Sequence, residues 1–226
     1  MSFQSKRLQG WYEFFLEQRG KPTFSQKVDS QVILNWENKL PSSLLRIWQE
    51  LGWCSFHNGL LWIVNPDDYQ YLVDTWLDNT KYLQLDNFYC IARTAFGECL
   101  LYGERTKRII QIQPQYNTIW ADDKQLQEPD DDFGASISTL LYLKSDIADF
   151  DITDIQDEPL FERAVKKLGV LSPDEMYAFE PFYMLLPDEQ IIIERLIKVR
   201  MDVYTDMLYQ FQPPVSRGTS FSDIFK

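Results

Sequence analysis

The 226-residue chain has one histidine, three cysteines and nine glycines. Each scarcity closes a route to chemistry. Cys54, Cys90 and Cys99 are too few and too scattered for a disulfide framework or a CxxC-type zinc site, and such thiols suit a reducing compartment. His57 is the lone imidazole, so any Ser-His or Cys-His pair has to use it. Cys54 lies just upstream, but Cys54-Ser55-Phe56-His57-Asn58-Gly59 reads as a turn leading into a strand. No GxGxxG or GxxxxGK[ST] loop is present to cradle phosphate. No apolar run approaches the roughly 18 residues that span a bilayer. Met1-Ser2-Phe3-Gln4-Ser5-Lys6-Arg7 leads into no apolar signal-peptide core. A soluble cytoplasmic protein without cofactor, metal or membrane contact is expected.

What the chain does have is negative charge, a net of −12 from 22 basic and 34 acidic residues. Such a chain repels a polyanion at long range, which argues against direct nucleic-acid binding and for a basic partner. Solubility alone is the simpler use of such charge. The excess is concentrated: residues 121–158 hold 12 acidic groups against 2 basic ones. Asp122, Asp123, Glu128 and Asp130 to Asp132 form one cluster, and Asp146, Asp149, Asp151, Asp154, Asp157 and Glu158 form a second. Phe150, Ile152 and Ile155 interleave the second cluster, so it is no featureless acidic tail.

Periodicity supplies the organisation. Apolar residues from Phe3 to Leu16 recur at helical spacing until Gly20 and Pro22, and Val32-Ile33-Leu34 reads as a short extended piece or linker. Pro41-Ser42-Ser43 opens a helix through Leu44, Ile47, Trp48 and Leu51, with Gly52 at its end. Leu60–Val64 is β-rich, and Pro66 suits the first turn of the next helix. From Asn87 to Trp120 four short strands, 88–94, 98–103, 108–112 and 117–120, are separated by turn signals, which implies an antiparallel meander. Helices follow at 133–143, 160–168 and 202–211, with a turn or short helix at Ser172-Pro173-Asp174-Glu175. Phe182–Leu186 reads as a strand, and Ile191–Val199 fits a strand or a buried helix. The fold class is α+β, an antiparallel sheet meander flanked by helices with a mainly helical C-terminal part. The expected units are 1–120, 121–211 packed against it, and a flexible tail over 212–226.

Catalytic constellations are hard to assemble. Asp149-Phe150-Asp151-Ile152-Thr153-Asp154 lacks the glycine of a calcium loop and fills alternate positions with apolar groups, so it reads as a solvated acidic loop. Nothing selects one carboxylate pair from 34 acids for hydrolase work. The basic groups Arg105, Lys107 and Arg108, and Lys166-Lys167, read as an exposed turn and a helix face. No catalytic residue is assigned.

Three stretches carry a resemblance. Leu40-Pro41-Ser42-Ser43-Leu44-Leu45-Arg46-Ile47-Trp48 running into Asn58-Gly59-Leu60-Leu61-Trp62-Ile63-Val64-Asn65-Pro66 resembles the N-terminal part of the GAD-like family, as does the hairpin Thr94-Ala95-Phe96-Gly97-Glu98. Leu171-Ser172-Pro173-Asp174-Glu175-Met176-Tyr177-Ala178-Phe179-Glu180-Pro181 resembles the C-terminal region paired with it, with Ala178 where that family commonly has glycine. Trp48, Trp62, Phe96 and Tyr177 read as core residues. Proteins of this arrangement include immunity proteins against DNase toxins delivered by type VI secretion.

The resemblance implies an immunity protein, not an enzyme, that neutralises a cognate toxin, a basic nuclease domain, by stoichiometric occlusion with an acidic surface. The expected contact residues are Asp122, Asp123, Asp130, Asp131, Asp132, Asp149, Asp151 and Asp154. The alternatives are a carboxylate-dependent hydrolase and a nucleic-acid-binding regulator using Arg105–Arg108.

Overall fold

In the computed structural model, which describes residues 3–218, the chain begins with helix α1 (Phe3–Arg19) and strand β1 (Phe24–Gln26). Helices α2 (Ser30–Trp36) and α3 (Ser42–Leu51) and strands β2 (Trp53–Phe56) and β3 (Leu61–Ile63) come next. Pro66 starts a 3-10 turn that runs into α4 (Gln70–Leu77), and α5 (Lys81–Leu85) precedes the meander. Strands β4 (Phe88–Thr94), β5 (Cys99–Gly103), β6 (Ile109–Gln113) and β7 (Thr118–Ala121) pair antiparallel in sequence order. Helices α6 (Asp123–Gln127), α7 (Asp132–Leu143) and α8 (Phe161–Leu168) follow. Last come strands β8 (Glu175–Phe179) and β9 (Leu196–Arg200), helix α9 (Met201–Phe211) and strand β10 (Val215–Arg217). The main sheet has the order β1-β2-β3-β4-β5-β6-β7-β10, while β8 and β9 make a separate antiparallel ribbon. The class is α+β.

Four local expectations are corrected. Val32-Ile33-Leu34 is helical, because Asp29 caps α2 by accepting the Gln31 N–H at 2.7 Å. Phe182–Leu186 holds a 3-10 turn between Pro181 and Pro187 instead of a strand. Ile191–Val199 is neither one strand nor one helix: a 3-10 turn at Ile193–Arg195 precedes β9, whose ladder bonds go to β8. The turn expected at Ser172-Pro173-Asp174-Glu175 is present, and Glu175 opens β8. Where a tail was expected from residue 212, Val215–Arg217 lies parallel to β7. Residues 219–226 of that stretch lie outside the described residues.

Helix α3 shows how distant parts of the chain complete one another. Leu44, Ile47 and Trp48 face the core and are buried, each apolar side chain worth about 1.5–3 kcal/mol of burial. Gly52 ends the helix at φ +78°, where a side chain would run into the Gln26 carbonyl. Its N-cap, Pro41, has no side-chain acceptor to offer. Helix α7 supplies the missing acceptors. Asp132 takes the Ser42 N–H at 3.0 Å and the Ser42 hydroxyl at 2.7 Å, and Ser136 Oγ takes the Ser43 N–H at 3.2 Å.

The N-terminal sheet and the C-terminal ribbon are joined through one buried cation. Register places Arg93 of β4 directly across from Trp62 of β3, and its guanidinium lies 4.7 Å from that ring's centre. Arg93 is 1% exposed. It donates to Tyr69 Oη (2.8 Å), the Thr94 carbonyl (3.1 Å) and the Pro173 carbonyl (2.7 Å). Next to it the Tyr177 N–H of β8 reaches the Ala95 carbonyl at 2.9 Å, and Met176 packs over Gly97 at φ +83°. Replacing Arg93 with Lys leaves a point charge where a planar fork meets four acceptors, the Ser172 carbonyl at 3.4 Å included. Arg93→Lys is expected to cost about 2–4 kcal/mol in urea unfolding at pH 7. A loss below about 1 kcal/mol would show that the clamp is dispensable.

Candidate partner-binding surface

The acidic residues expected from the sequence fall at the starts of α6 and α7 and in the segment that follows α7. Asp122 caps α6, taking the Lys124 and Gln125 N–H groups at 3.0 and 3.2 Å, and Asp123 pairs with Lys81. Asp130 pairs with Arg108 at 2.8 Å. Asp131 caps α7 through the Gly134 N–H at 2.7 Å, and Asp132 caps α3 as described. Asp122 and Asp123 thus stand at the start of α6, and Asp130, Asp131 and Asp132 at the start of α7, where the positive end of each helix favours them. Asp149, Asp151 and Asp154 lie beyond the other end of α7. Twelve residues of helix separate the two groups by about 18 Å. Arg19 closes that second end by donating to the Leu143 carbonyl at 2.6 Å and to the Ser145 carbonyl.

The acids differ in what they have left to offer a partner. A carboxylate that accepts an N–H keeps its charge, whereas one held by Lys or Arg is largely neutralised. Asp122, Asp131 and Asp132 therefore present charge, while Asp123 and Asp130 are compensated by ion pairs and Asp149 shares the field of Arg19. Asp151 takes the Phe161 N–H with both oxygens, at 3.0 and 3.2 Å, at the start of α8. Partial burial raises its pKa despite those bonds. Asp154 is 7% exposed and accepts the Gln156 and Glu158 N–H groups and Arg163. Its carboxylate serves the loop, so as a contact residue it is poorly placed. The basic hairpin is occupied too: Arg105 donates to the Leu85 carbonyl, and Arg108 to the Glu128 carbonyl and Asp130.

The other candidate groups are equally committed. All three thiols are buried; desolvation pushes Cys54 up to about 12 and Cys90 well above the ordinary thiol range. His57 is exposed in a turn at φ +49°, and no hydrogen bond joins it to Cys54 among the described residues. A cleft of about 440 Å³ between the sheet edge and the C-terminal part presents Asp68, Asp174 and Asp202. Arg200 grips Asp202 at 3.1 and 2.6 Å and holds it below the usual carboxylate range, so Asp202 is an ion-pair anion and no proton donor. Among the described residues no cluster of metal-ligating side chains occurs, and no helix is long and apolar enough to cross a membrane.

Two features escaped the sequence reading. Arg93 is visible only once β3 and β4 are in register. The second is an apolar groove of about 630 Å³ between α9, β9 and the segment after β8, with Val203, Met207 and Phe211 each about half exposed. Spacing of four residues along α9 was its signal, hidden because Met201, Tyr204, Thr205 and Leu208 already account for a buried face of the same helix.

Asp154 gives this surface a pH signature. Arg163 lowers its pKa in the folded chain, so its contribution is complete above the ordinary carboxylate value of 3.8 and is lost as pH falls below it. Asp154→Asn keeps an acceptor oxygen for the two N–H groups and removes the charge. We expect the variant to be about 1 kcal/mol less stable at pH 7, with the gap shrinking below pH 3.8 in denaturant titrations. A gap that is constant with pH would contradict the assignment.

Residues 10–115 match the GAD-like domain, and residues 137–212 match the C-terminal domain of the type VI secretion immunity protein Tdi1. The crystal structure of Atu4351 from Agrobacterium tumefaciens superposes with a TM-score of 0.77 at 20% identity, covering 92% of this chain and 93% of that one. That likeness concerns the fold. No curated protein matches the chain. The quoted motif residues are packing residues: Trp48, Trp62, Phe96 and Tyr177 are all at most 4% exposed. Ala178 fits in place of glycine because it is an interior residue of β8 with no positive φ. The C-terminal match supports an immunity role and a toxin as partner. The chain thus belongs with proteins that join a GAD-like domain to a Tdi1-type C-terminal immunity domain.

Proposed function

We propose that the protein neutralises a cognate type VI secretion toxin, a basic DNase domain, by binding it one to one in the cytoplasm, without catalysis. The match of residues 137–212 to an immunity domain carries this reading. The net charge of −12 supports the choice of a basic partner. A nuclease offers a basic groove to DNA, and an acidic protein competes for such a groove as a polyanion. The carboxylates at the α6 and α7 N-termini, Asp122, Asp131 and Asp132, are assigned to steering the encounter, with Asp149 and Asp151 adding to the field from the segment after α7. Asp123 and Asp130 are assigned to the rim, where their ion pairs exchange partners readily.

Co-expression with the product of the neighbouring open reading frame tests the function: that product should be toxic alone, the pair should copurify at one to one, and cells should survive. Steering has a separate test. Asn caps helices about as well as Asp, so Asp122→Asn/Asp131→Asn/Asp132→Asn removes three charges while keeping the three caps. Association should slow by roughly 3- to 10-fold at low salt, and the difference should vanish at high salt. An association rate and salt slope equal to wild type would remove these residues from the contact field.

A further inference from the structure

We infer that the groove on the C-terminal domain is the anchoring site for the toxin, receiving an amphipathic segment with apolar anchors flanked by basic residues. This rests on the immunity reading and adds the contact surface to it. Helix α9 is apolar on two sides. Met201, Tyr204, Thr205 and Leu208 face inward, whereas Val203, Met207 and Phe211 face outward and stay 51%, 54% and 55% exposed. Outward positions four apart form one continuous stripe along the helix. The opposite wall is Phe182, whose ring meets Tyr204 at 5.4 Å and Phe211 at 5.5 Å, and Leu185, itself 49% exposed. A polar helix face would satisfy solubility, so large apolar side chains kept half in water mark a surface that is covered in use. Flexible methionine beside a rigid phenylalanine suits an incoming side-chain row.

The rim charge chooses the occupant. Glu180 lines the groove and is exposed, and Asp206 stands on α9, three residues on from Val203. Among the described lining residues the one base, Arg200, is already spent on Asp202 through two hydrogen bonds. A second copy of the chain would bring the same acidic rim, on a molecule of charge −12, against this one. A basic segment meets complementary charge at the rim while its apolar side chains fill the floor. Affinity from such a site comes from a few buried anchors, and the distant acids around α7 then govern the speed of encounter.

The test is a pair of substitutions that change apolarity and leave net charge alone, Val203→Asn/Met207→Gln, in the full chain. Both positions are exposed, so the fold should persist, which circular dichroism and thermal melting check. Binding to the purified toxin domain from the neighbouring open reading frame should weaken by roughly 10-fold or more, chiefly through faster dissociation. Met207→Leu, which keeps apolarity and volume, should bind like wild type. If wild type binds the toxin and the double variant binds equally tightly, the groove is not the anchor, although the immunity reading stands. If wild type does not bind the toxin, both readings fall. A concentration-dependent dimer of wild type that the double variant abolishes in sedimentation velocity would assign the groove to a second copy and overturn the proposal.

Discussion

The burial of Arg93 sets the terms for everything around it. A guanidinium withdrawn from water needs acceptors in its own plane, and no acid is bonded to it here. Carbonyls and a phenol do the work instead, with Trp62 covering one face. Those acceptors come from three places: the turn before α4, the end of β4, and the turn that opens β8. Satisfying one side chain therefore fixes the sheet, an outer helix and the C-terminal ribbon in a single arrangement. The Tyr177 N–H to Ala95 carbonyl and Gln115 side chain to Phe96 carbonyl hydrogen bonds add to the same junction. The residues matching the GAD-like and immunity domains consequently share a core instead of meeting across a polar boundary.

A second constraint concerns helix ends. Helices α3, α6, α7 and α8 start with orphan N–H groups, and aspartates answer in each case, locally for α6 and α7 and from another part of the chain for α3 and α8. Much of the acidity that dominates residues 121–158 is thereby structural. It is also anionic, and capping consumes no charge. Stability and an external negative field therefore arise from the same side chains.

Parts of this were legible in the sequence for physical reasons. The meander was, because its turns are local and carry their own signals between short strand-like runs. Helix α3 was, because Leu44, Ile47, Trp48 and Gly52 record both its face and its end. The helix at Val32–Leu34 was not, because three apolar residues carry no period and the decisive signal was the Asp29 cap. The β8–β9 ribbon was obscured by a connection rich in proline and apolar residues, whose hydrophobicity reflects packing and not repeat structure. At the surface, composition located the acids but not their partners. Nothing in the string says that Asp130 meets Arg108 or that Asp154 turns inward to Arg163. Ion pairing is a long-range fact, and it decides which charges remain free.

These constraints limit how such a surface changes partner. A capping aspartate tolerates replacement by another short acceptor without loss of the helix, but only an acid keeps the field. That field reaches about 8 Å into solution at physiological salt, enough to orient an approaching basic face and too little to hold it. Retention has to come from groups that exclude water at contact. The groove along α9 supplies them on a helix whose inner face is locked to the core by Tyr204 and Leu208, with the Tyr204 hydroxyl bonded to the Phe179 carbonyl at 2.9 Å. Val203 and Met207 on its outer face are about half exposed, so they can change shape with little disturbance to the fold. Encounter is thus tied to residues that the fold needs, and choice of partner to residues that it does not.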